Sequence, residues 1–425
     1  MITGLSRNEL KGLLEELKST YEVYKSKGLK LDMSRGKPGS DQLDISKDLL
    51  TILNESSDCI DSTGFDCRNY GLLDGISEAK KIFADLFGVS AEETIVGGNS
   101  SLNMMYDTIT RAMLFGVFGS DKPWSKYDKI KFICPVPGYD RHFTICESLN
   151  IEMINVDMLQ DGPDMATVEK LVAQDDTIKG IWCVPRYSNP EGKTYSDRVV
   201  KRLANLKPAA KDFRIFWDNA YALHNFDNDN EVLLNLIEQA KLTGNADMVF
   251  MFMSTSKVSF PGSGVAAMAA SINNINLIKK QMFAQSIGPD KLNQLRHVRY
   301  YKNADGVRAY MKKHADIVKP HFEAVLSTLK KNLSNEGIAD WVEPKGGYFV
   351  SLNVMKGCAK RTVALLKEAG VVMTPAGATF PYGKDPNDSN IRIAPTYPPV
   401  LELLTAMELL CICVKIAAIE KLLNS

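Results

Sequence analysis

One lysine, Lys257, closes a run of strand-forming residues that ends Met251-Phe252-Met253-Ser254-Thr255-Ser256. The turn-rich loop Val258-Ser259-Phe260-Pro261-Gly262-Ser263-Gly264 follows it. A strand that empties into such a loop places its last side chains at the sheet's carboxyl edge, where α/β proteins bind ligands. A partly desolvated lysine there has a lowered pKa, and its neutral amine can attack a carbonyl to form a Schiff base. Tyr139, Asn189, Asp218 and Tyr221 also fall just after expected strands, so all five converge on one rim.

These residue types suit one chemistry. A lysine holding a pyridine aldehyde needs an acid near the ring nitrogen, and Asp218 can keep that nitrogen protonated. Tyr221 can donate its phenol to the ring hydroxyl oxygen, and Asn189 can donate an amide to the same atom. Tyr139 can stack on the ring. Asn99-Ser100-Ser101 follow a short strand and a glycine turn and open a helix, so with Ser254 they form a phosphate cradle. The P-loop lysine is missing, which argues against a nucleoside triphosphate. Arg392 offers a planar two-pronged donor for a substrate carboxylate.

Alternating strands and helices must carry this rim. Strands are expected at 131–134, 151–156, 179–184, 213–217, 248–253 and 265–271, the last of them antiparallel. Helix-length segments separate them, which implies an α/β fold with a mostly parallel, seven-stranded-type sheet covered on both faces. Ser6-Arg7-Asn8-Glu9 has the form of a helix capping box, with a helix expected to about Lys25. Long helices follow residue 278, with short β segments at 347–352 and 390–394, giving a smaller α+β domain. The expected division is 1–55 and 306–425 in the small domain, and 56–305 in the large one.

Composition narrows the function classes. The 51 Lys+Arg balance the 51 Asp+Glu, so a large nucleic-acid footprint is not expected. Eight scattered cysteines without a C-x-x-C pair argue against a zinc or dithiol site and fit reduced thiols in the cytoplasm. The first thirty residues lack an apolar signal-peptide core. Residues 400–423 are interrupted by Glu402, Glu408, Lys415 and Glu420 and read as a buried amphipathic helix, not a membrane span.

Taken together, S-x-S-K at Ser254 to Lys257, N-P-x-G at Asn189 to Gly192, D-x-A-Y at Asp218 to Tyr221 and I-R-I around Arg392 resemble the fold-type I pyridoxal phosphate aminotransferases. The resemblance is to the aspartate aminotransferase superfamily and covers nearly the whole chain. Asp32-Met33-Ser34-Arg35-Gly36-Lys37-Pro38-Gly39 looks like its MocR-type or aspartate aminotransferase-like branch. The resemblance implies pyridoxal 5′-phosphate on Lys257, which also shuttles the proton. It implies Gly36 beside the substrate, Tyr70 reaching the phosphate of a neighbouring subunit, and hence a homodimer.

One departure is visible. The family's phosphate-binding arginine after the lysine is absent from Phe260-Pro261-Gly262-Ser263-Gly264-Val265, leaving Ser254, Ser256, Ser263 or an unplaced base. Arg35 is the expected reader of a second substrate carboxylate, with Arg186, Arg296 and Arg299 as rivals. The expected reaction moves an amino group from an aspartate-like L-amino acid to a 2-oxo acid such as 2-oxoglutarate. A β-lyase on the same fold is the alternative enzyme. A non-catalytic ligand-sensing module is the other, although about thirty residues before Ser34 leave too little chain for a DNA-binding domain.

Overall fold

The computed structural model describes residues 1–227 and 232–424. Helix α1 (Arg7–Ser26) begins with a reciprocal capping box. The Ser6 hydroxyl accepts from the Glu9 N–H at 3.4 Å, and the Glu9 carboxylate accepts from the Ser6 N–H at 2.7 Å. Strand β1 (Leu31–Met33), the short α2 (Ser40–Asp44) and α3 (Ser77–Phe87) follow. Gly88 ends α3 in the left-handed conformation, at φ 71°.

Eight strands form the central sheet: β2 (Thr94–Val96), β3 (Lys131–Val136), β4 (Glu152–Leu159), β5 (Gly162–Pro163), β6 (Ile178–Cys183), β7 (Arg214–Asp218), β8 (Val249–Ser254) and β9 (Ala266–Ala270). Their spatial order is β2-β9-β8-β7-β6-β3-β4-β5. From β4 through β3, β6 and β7 to β8 every pairing is parallel, while β9 runs antiparallel to β8 and β2. The expected seven strands gain an eighth because the chain reverses after β4 and pairs two residues, Gly162 and Pro163, back on it. Helices α4 (Ser101–Phe115), α5 (Asp140–Ser148), α6 (Met165–Gln174), α7 (Asp197–Ala204) and α8 (Leu236–Leu242) connect these strands.

The central strands β7, β8 and β9 are mostly apolar and buried along their length because both faces are covered. Ile215, Trp217, Val249, Met251 and Met253 join the core on one face, and Phe216, Phe250 and Phe252 join that on the other. Phe216 and Phe252 stack at 6.1 Å across neighbouring strands. A one-residue slip would exchange these two sets of side chains between faces. Strand β8 starts one residue later than expected, at Val249, because Ala246–Met248 form a 3-10 turn. Asp247 in that turn accepts from Ser271 and Asn273.

Beyond α9 (Ile272–Met282) and α10 (Lys291–Tyr301), the long α11 (Ala304–Leu333) passes from one core to another. Val307, Tyr310 and Met311 belong to the sheet's core, whereas Val318, Phe322, Val325 and Leu329 belong to a second core. That second core also contains β10 (Ala339–Trp341), β11 (Val350–Val354), α12 (Ala359–Glu368), β12 (Val371–Met373), β13 (Asn390–Ile393) and α13 (Val400–Asn424). The chain's start joins it: β1 pairs parallel with β12, and Leu10 and Tyr21 of α1 pack into the same cluster. Helix α13 is more enclosed than an amphipathic helix, with Leu403, Met407, Leu410, Cys411, Cys413 and Val414 all buried. The segment expected as a strand at 347–352 extends only from Val350, since Gly347 turns at φ 87° and its N–H donates to the His224 carbonyl at 2.9 Å. No helix among the described residues is long and apolar enough to cross a membrane.

Candidate active site

The carboxyl ends of β3, β6, β7 and β8 lie side by side, so the loops that follow them meet. Asp218 is the last residue of β7 and is buried. Its Oδ2 accepts from His142 Nε2 at 3.0 Å. His142 lies on the first turns of α5 and stacks on Trp182 with ring centroids 4.1 Å apart and planes 6° apart. Tyr139, the N-cap residue of α5, meets the same imidazole edge-on at 4.9 Å. The other carboxylate oxygen, Asp218 Oδ1, is buried and has no hydrogen-bond partner among the described residues. A buried carboxylate oxygen without a donor is costly unless a ligand supplies one.

Lys257 follows β8 on a short turn. Its Nζ stands 5.1 Å from the centroid of the Tyr221 ring and 5.8 Å from that of Tyr348. Desolvation pushes the amine's pKa below its ordinary value; the Asp218 charge opposes this and Arg392 adds to it. Burial drives the Tyr221 phenol well above its usual range, so it remains a protonated donor. Tyr221 also stacks on Tyr348 at 6.1 Å and meets Phe349 edge-on at 6.5 Å.

Arg392 reaches the same space from β13. Its Nη1 donates to Asp140 Oδ1 at 2.7 Å and to Asn189 Oδ1 at 3.2 Å, and its Nη2 donates to Thr374 Oγ1 at 3.4 Å. The guanidinium carbon lies 5.0 Å from the centre of the Phe349 ring. Asn189 sits in a turn closed by the Gly192 N–H to Ser188 carbonyl bond at 2.6 Å. With its Oδ1 turned to Arg392, Asn189 keeps its amide N–H groups as donors. Gly36 packs against this cluster, for a Cβ there would meet Phe349 Cζ at 2.6 Å.

The hydroxyl cradle lies beside Lys257. Ser254 Oγ donates to Ser256 Oγ at 3.1 Å, and Ser256 Oγ to the Asn99 carbonyl at 3.5 Å. Asn99 is exposed, Ser100 is the N-cap of α4 without a side-chain capping bond, and Ser101 is the helix's first residue. These groups are therefore open to an anion at a helix N-terminus.

Other expected residues are not gathered here. Tyr70 is 78% exposed, and Arg35 is exposed one residue before Gly36. Ser263 is turned to α10, donating to Asn293 Oδ1 at 3.2 Å. Arg299 donates to the Ile60 carbonyl at 2.8 Å, and Arg186 to the Ala222 carbonyl at 2.7 Å.

The sequence profile described as "Aspartate amino-transferase" matches residues 5–425. The chain belongs to the aspartate aminotransferase family. An aspartate aminotransferase of Corynebacterium glutamicum is 45% identical to this aminotransferase over 410 residues, covering 96% of this chain and 94% of the relative. The crystal structure of an aspartate transaminase from Corynebacterium glutamicum matches with a TM-score of 0.96, at 44% identity, over 99% of each chain. LysN, an α-aminoadipate aminotransferase from Thermus thermophilus complexed with N-(5′-phosphopyridoxyl)-L-leucine, shares the fold at a TM-score of 0.74 and 20% identity, over 95% of each chain. The fold of this aminotransferase is that of the fold-type I enzymes, a pyridoxal phosphate-dependent family.

Five residues of this aminotransferase's candidate site escaped the sequence reading: His142, Asp140, Thr374, Tyr348 and Phe349. His142 had a local signal, standing one helical turn after Tyr139 at the start of α5. Thr374 and Phe349 had none, since they reach the rim from the second core.

Proposed function

We propose that this aminotransferase uses pyridoxal 5′-phosphate on Lys257 to move an amino group from an L-amino acid, aspartate-like dicarboxylates first, to a 2-oxo acid such as 2-oxoglutarate. The observation that carries this reading is the pairing of a buried, donor-less Asp218 Oδ1 with a desolvated Lys257 amine on one sheet edge. A protonated pyridine nitrogen is the kind of donor that Oδ1 lacks. When bound, the cofactor supplies an electron sink for the substrate's Cα electron pair.

The remaining work belongs to this chain's own residues. Lys257 offers a neutral amine for covalent attachment and, once released, a base that moves the proton from substrate Cα. Asp218, fixed by His142 at 3.0 Å, would face the ring nitrogen through its open Oδ1. Tyr221 and Asn189 would donate to the ring hydroxyl oxygen, and Tyr139 would cover the ring face. Asn99, Ser100, Ser101 and Ser254 would hold the phosphate at the start of α4. Arg392 takes the substrate α-carboxylate, and Gly36 leaves room for the substrate beside Phe349. Arg35, exposed one residue before Gly36, would turn inward to read a second substrate carboxylate.

A homodimer fits the exposed apolar groups at one edge. Tyr70 is 78%, Phe283 82% and Ile287 62% exposed, and Gly288 packs directly on Gly71. Such a patch is the mark of a protein interface, and Tyr70 would reach the neighbouring subunit's phosphate from it. The relative named aspartate aminotransferase supports the choice of donor. The test is the absorbance of the cofactor-loaded protein. L-aspartate should remove the visible band and 2-oxoglutarate should restore it. Pyruvate and ammonia released from cysteine-like donors, whose β-thiol or thioether leaves with its electron pair, with no need of an acceptor, would replace this reading with the β-lyase.

A further inference from the structure

Two buried imidazoles touch the backbone of the lysine turn and take no part in the chemistry assigned above. Thr255 to Ser259 form one helical turn, closed by the Val258 and Ser259 N–H groups on the Thr255 carbonyl at 2.9 and 2.8 Å. The next turn would offer the Lys257 carbonyl the N–H of residue 261, but that residue is Pro261 and has none. The chain then leaves in the 3-10 turn Pro261–Ser263. His224 Nε2 donates to the Lys257 carbonyl at 3.0 Å, and His314 Nε2 donates to the Val258 carbonyl at 2.8 Å. Two carbonyls at a frayed turn are thus satisfied from outside the helix.

We infer that His224 and His314 are positioning residues that hold the Lys257 turn by its carbonyls and so set where the lysine amine stands. This rests on the reading that Lys257 carries the cofactor. Both rings are built for donation from Nε2. Burial lowers the pKa of His224 to about 3 and that of His314 to about 4, so both are neutral at physiological pH. Gln42 Nε2 approaches His314 Nδ1 at 3.3 Å, which selects the tautomer with its proton on Nε2.

Each imidazole also belongs to an element that matters to the site. His224 lies three residues after Tyr221, in the segment whose Asn225 bridges to Gly346. His314 lies on α11 between Met311, in the sheet's core, and Val318, in the second core. Gln42 bonds both His314 and the Tyr348 hydroxyl, the latter at 2.9 Å. The lysine turn is therefore tied to both cores through two side chains. A small apolar cavity lined by Ile82, Phe83, Met253 and Val258 lies against the same turn.

The test compares His224→Gln with His224→Asn, and His314→Gln with His314→Asn, each loaded with pyridoxal 5′-phosphate. A glutamine amide reaches the position of Nε2 and an asparagine amide does not. The Asn variants should lose kcat on the order of 10-fold with KM little changed, and should shift the pH midpoint of the cofactor's visible band by about half a unit. The Gln variants should stay near wild type in both. Gln and Asn variants that share the wild-type midpoint and kcat overturn the inference, even if the Asn variants melt at lower temperature. A wild-type protein that forms no band with the cofactor, or a Lys257→Ala variant that keeps it, overturns the reading beneath it instead.

Discussion

Acid should destabilise this protein through the same two imidazoles, by an amount the structure sets. His224 and His314 have ordinary values of 6.5 when exposed, and burial lowers them to about 3 and about 4. The unfolded chain therefore binds protons at both sites before the folded chain does. A folded pKa below the unfolded one means stability that is complete above pH 6.5 and is lost as pH falls towards the folded values. At pH 5 each site has lost about 1.5 pH units of this window, or about 2 kcal/mol at about 1.4 kcal/mol per unit. The pair together cost about 4 kcal/mol between pH 7 and pH 5, a large share of the ~5–15 kcal/mol typical of a folded domain. Carboxylates held low, such as Asp175 at about 2, act only below their ordinary 3.8 and stay outside this interval. His297 is lowered in the same direction by burial, so wild type contains its contribution as well. The perturbation is the double variant His224→Gln with His314→Gln, which keeps the donors but cannot titrate. Urea unfolding of wild type and variant at pH 7 and pH 5 isolates the pair. The variant's loss of stability on acidification should be smaller than wild type's by about 4 kcal/mol. Equal losses in the two proteins would refute the argument that these rings are buried and neutral.

Four further outcomes follow from the site. Arg392→Lys removes the planar fork and should raise KM for the amino acid by ~10–100-fold, read in steady-state kinetics, with a smaller change in kcat. Ser254→Ala should weaken cofactor binding by about tenfold in absorbance titrations, since it removes one hydrogen-bond donor proposed for the phosphate. Phe283→Asp places a charge on the exposed apolar edge through which the homodimer is proposed, and should leave monomers in analytical ultracentrifugation where wild type sediments as a dimer. Gly36→Ala puts a Cβ 2.6 Å from Phe349 Cζ and should cut kcat/KM, with Phe349→Leu in the same chain restoring much of it.

The rim was legible because its residues announce themselves locally. Asp218, Lys257 and Asn189 each follow an apolar run by a few residues, and a parallel sheet brings such ends together whatever the loop details. Strand type was equally legible, since residues 215–217 of β7 and 249–253 of β8 are continuous apolar runs, which suit a sheet covered on both faces. What escaped the reading depends on long-range closure. Arg392 meets Asp140 across 252 positions of chain, and Gln42 meets Tyr348 across 306. No local pattern encodes such a meeting. His224 and His314 were equally hidden, because the needs they answer lie in a third segment: a proline's missing N–H for His224, and for His314 a Val258 carbonyl left open where the turn ends. The missing phosphate arginine is a different case. The described residues bring Ser254 and Ser256 beside Asn99 but turn Ser263 to Asn293, which removes one of the expected substitutes.

The most direct test of the central claim is chemical. The protein is loaded with pyridoxal 5′-phosphate, reduced with borohydride, digested and mapped by mass spectrometry. The cofactor should be fixed on Lys257 alone, and Asp218→Asn should leave it attached while abolishing most amino transfer. A stable adduct on another lysine, or none on Lys257 after reduction, would contradict the site described above.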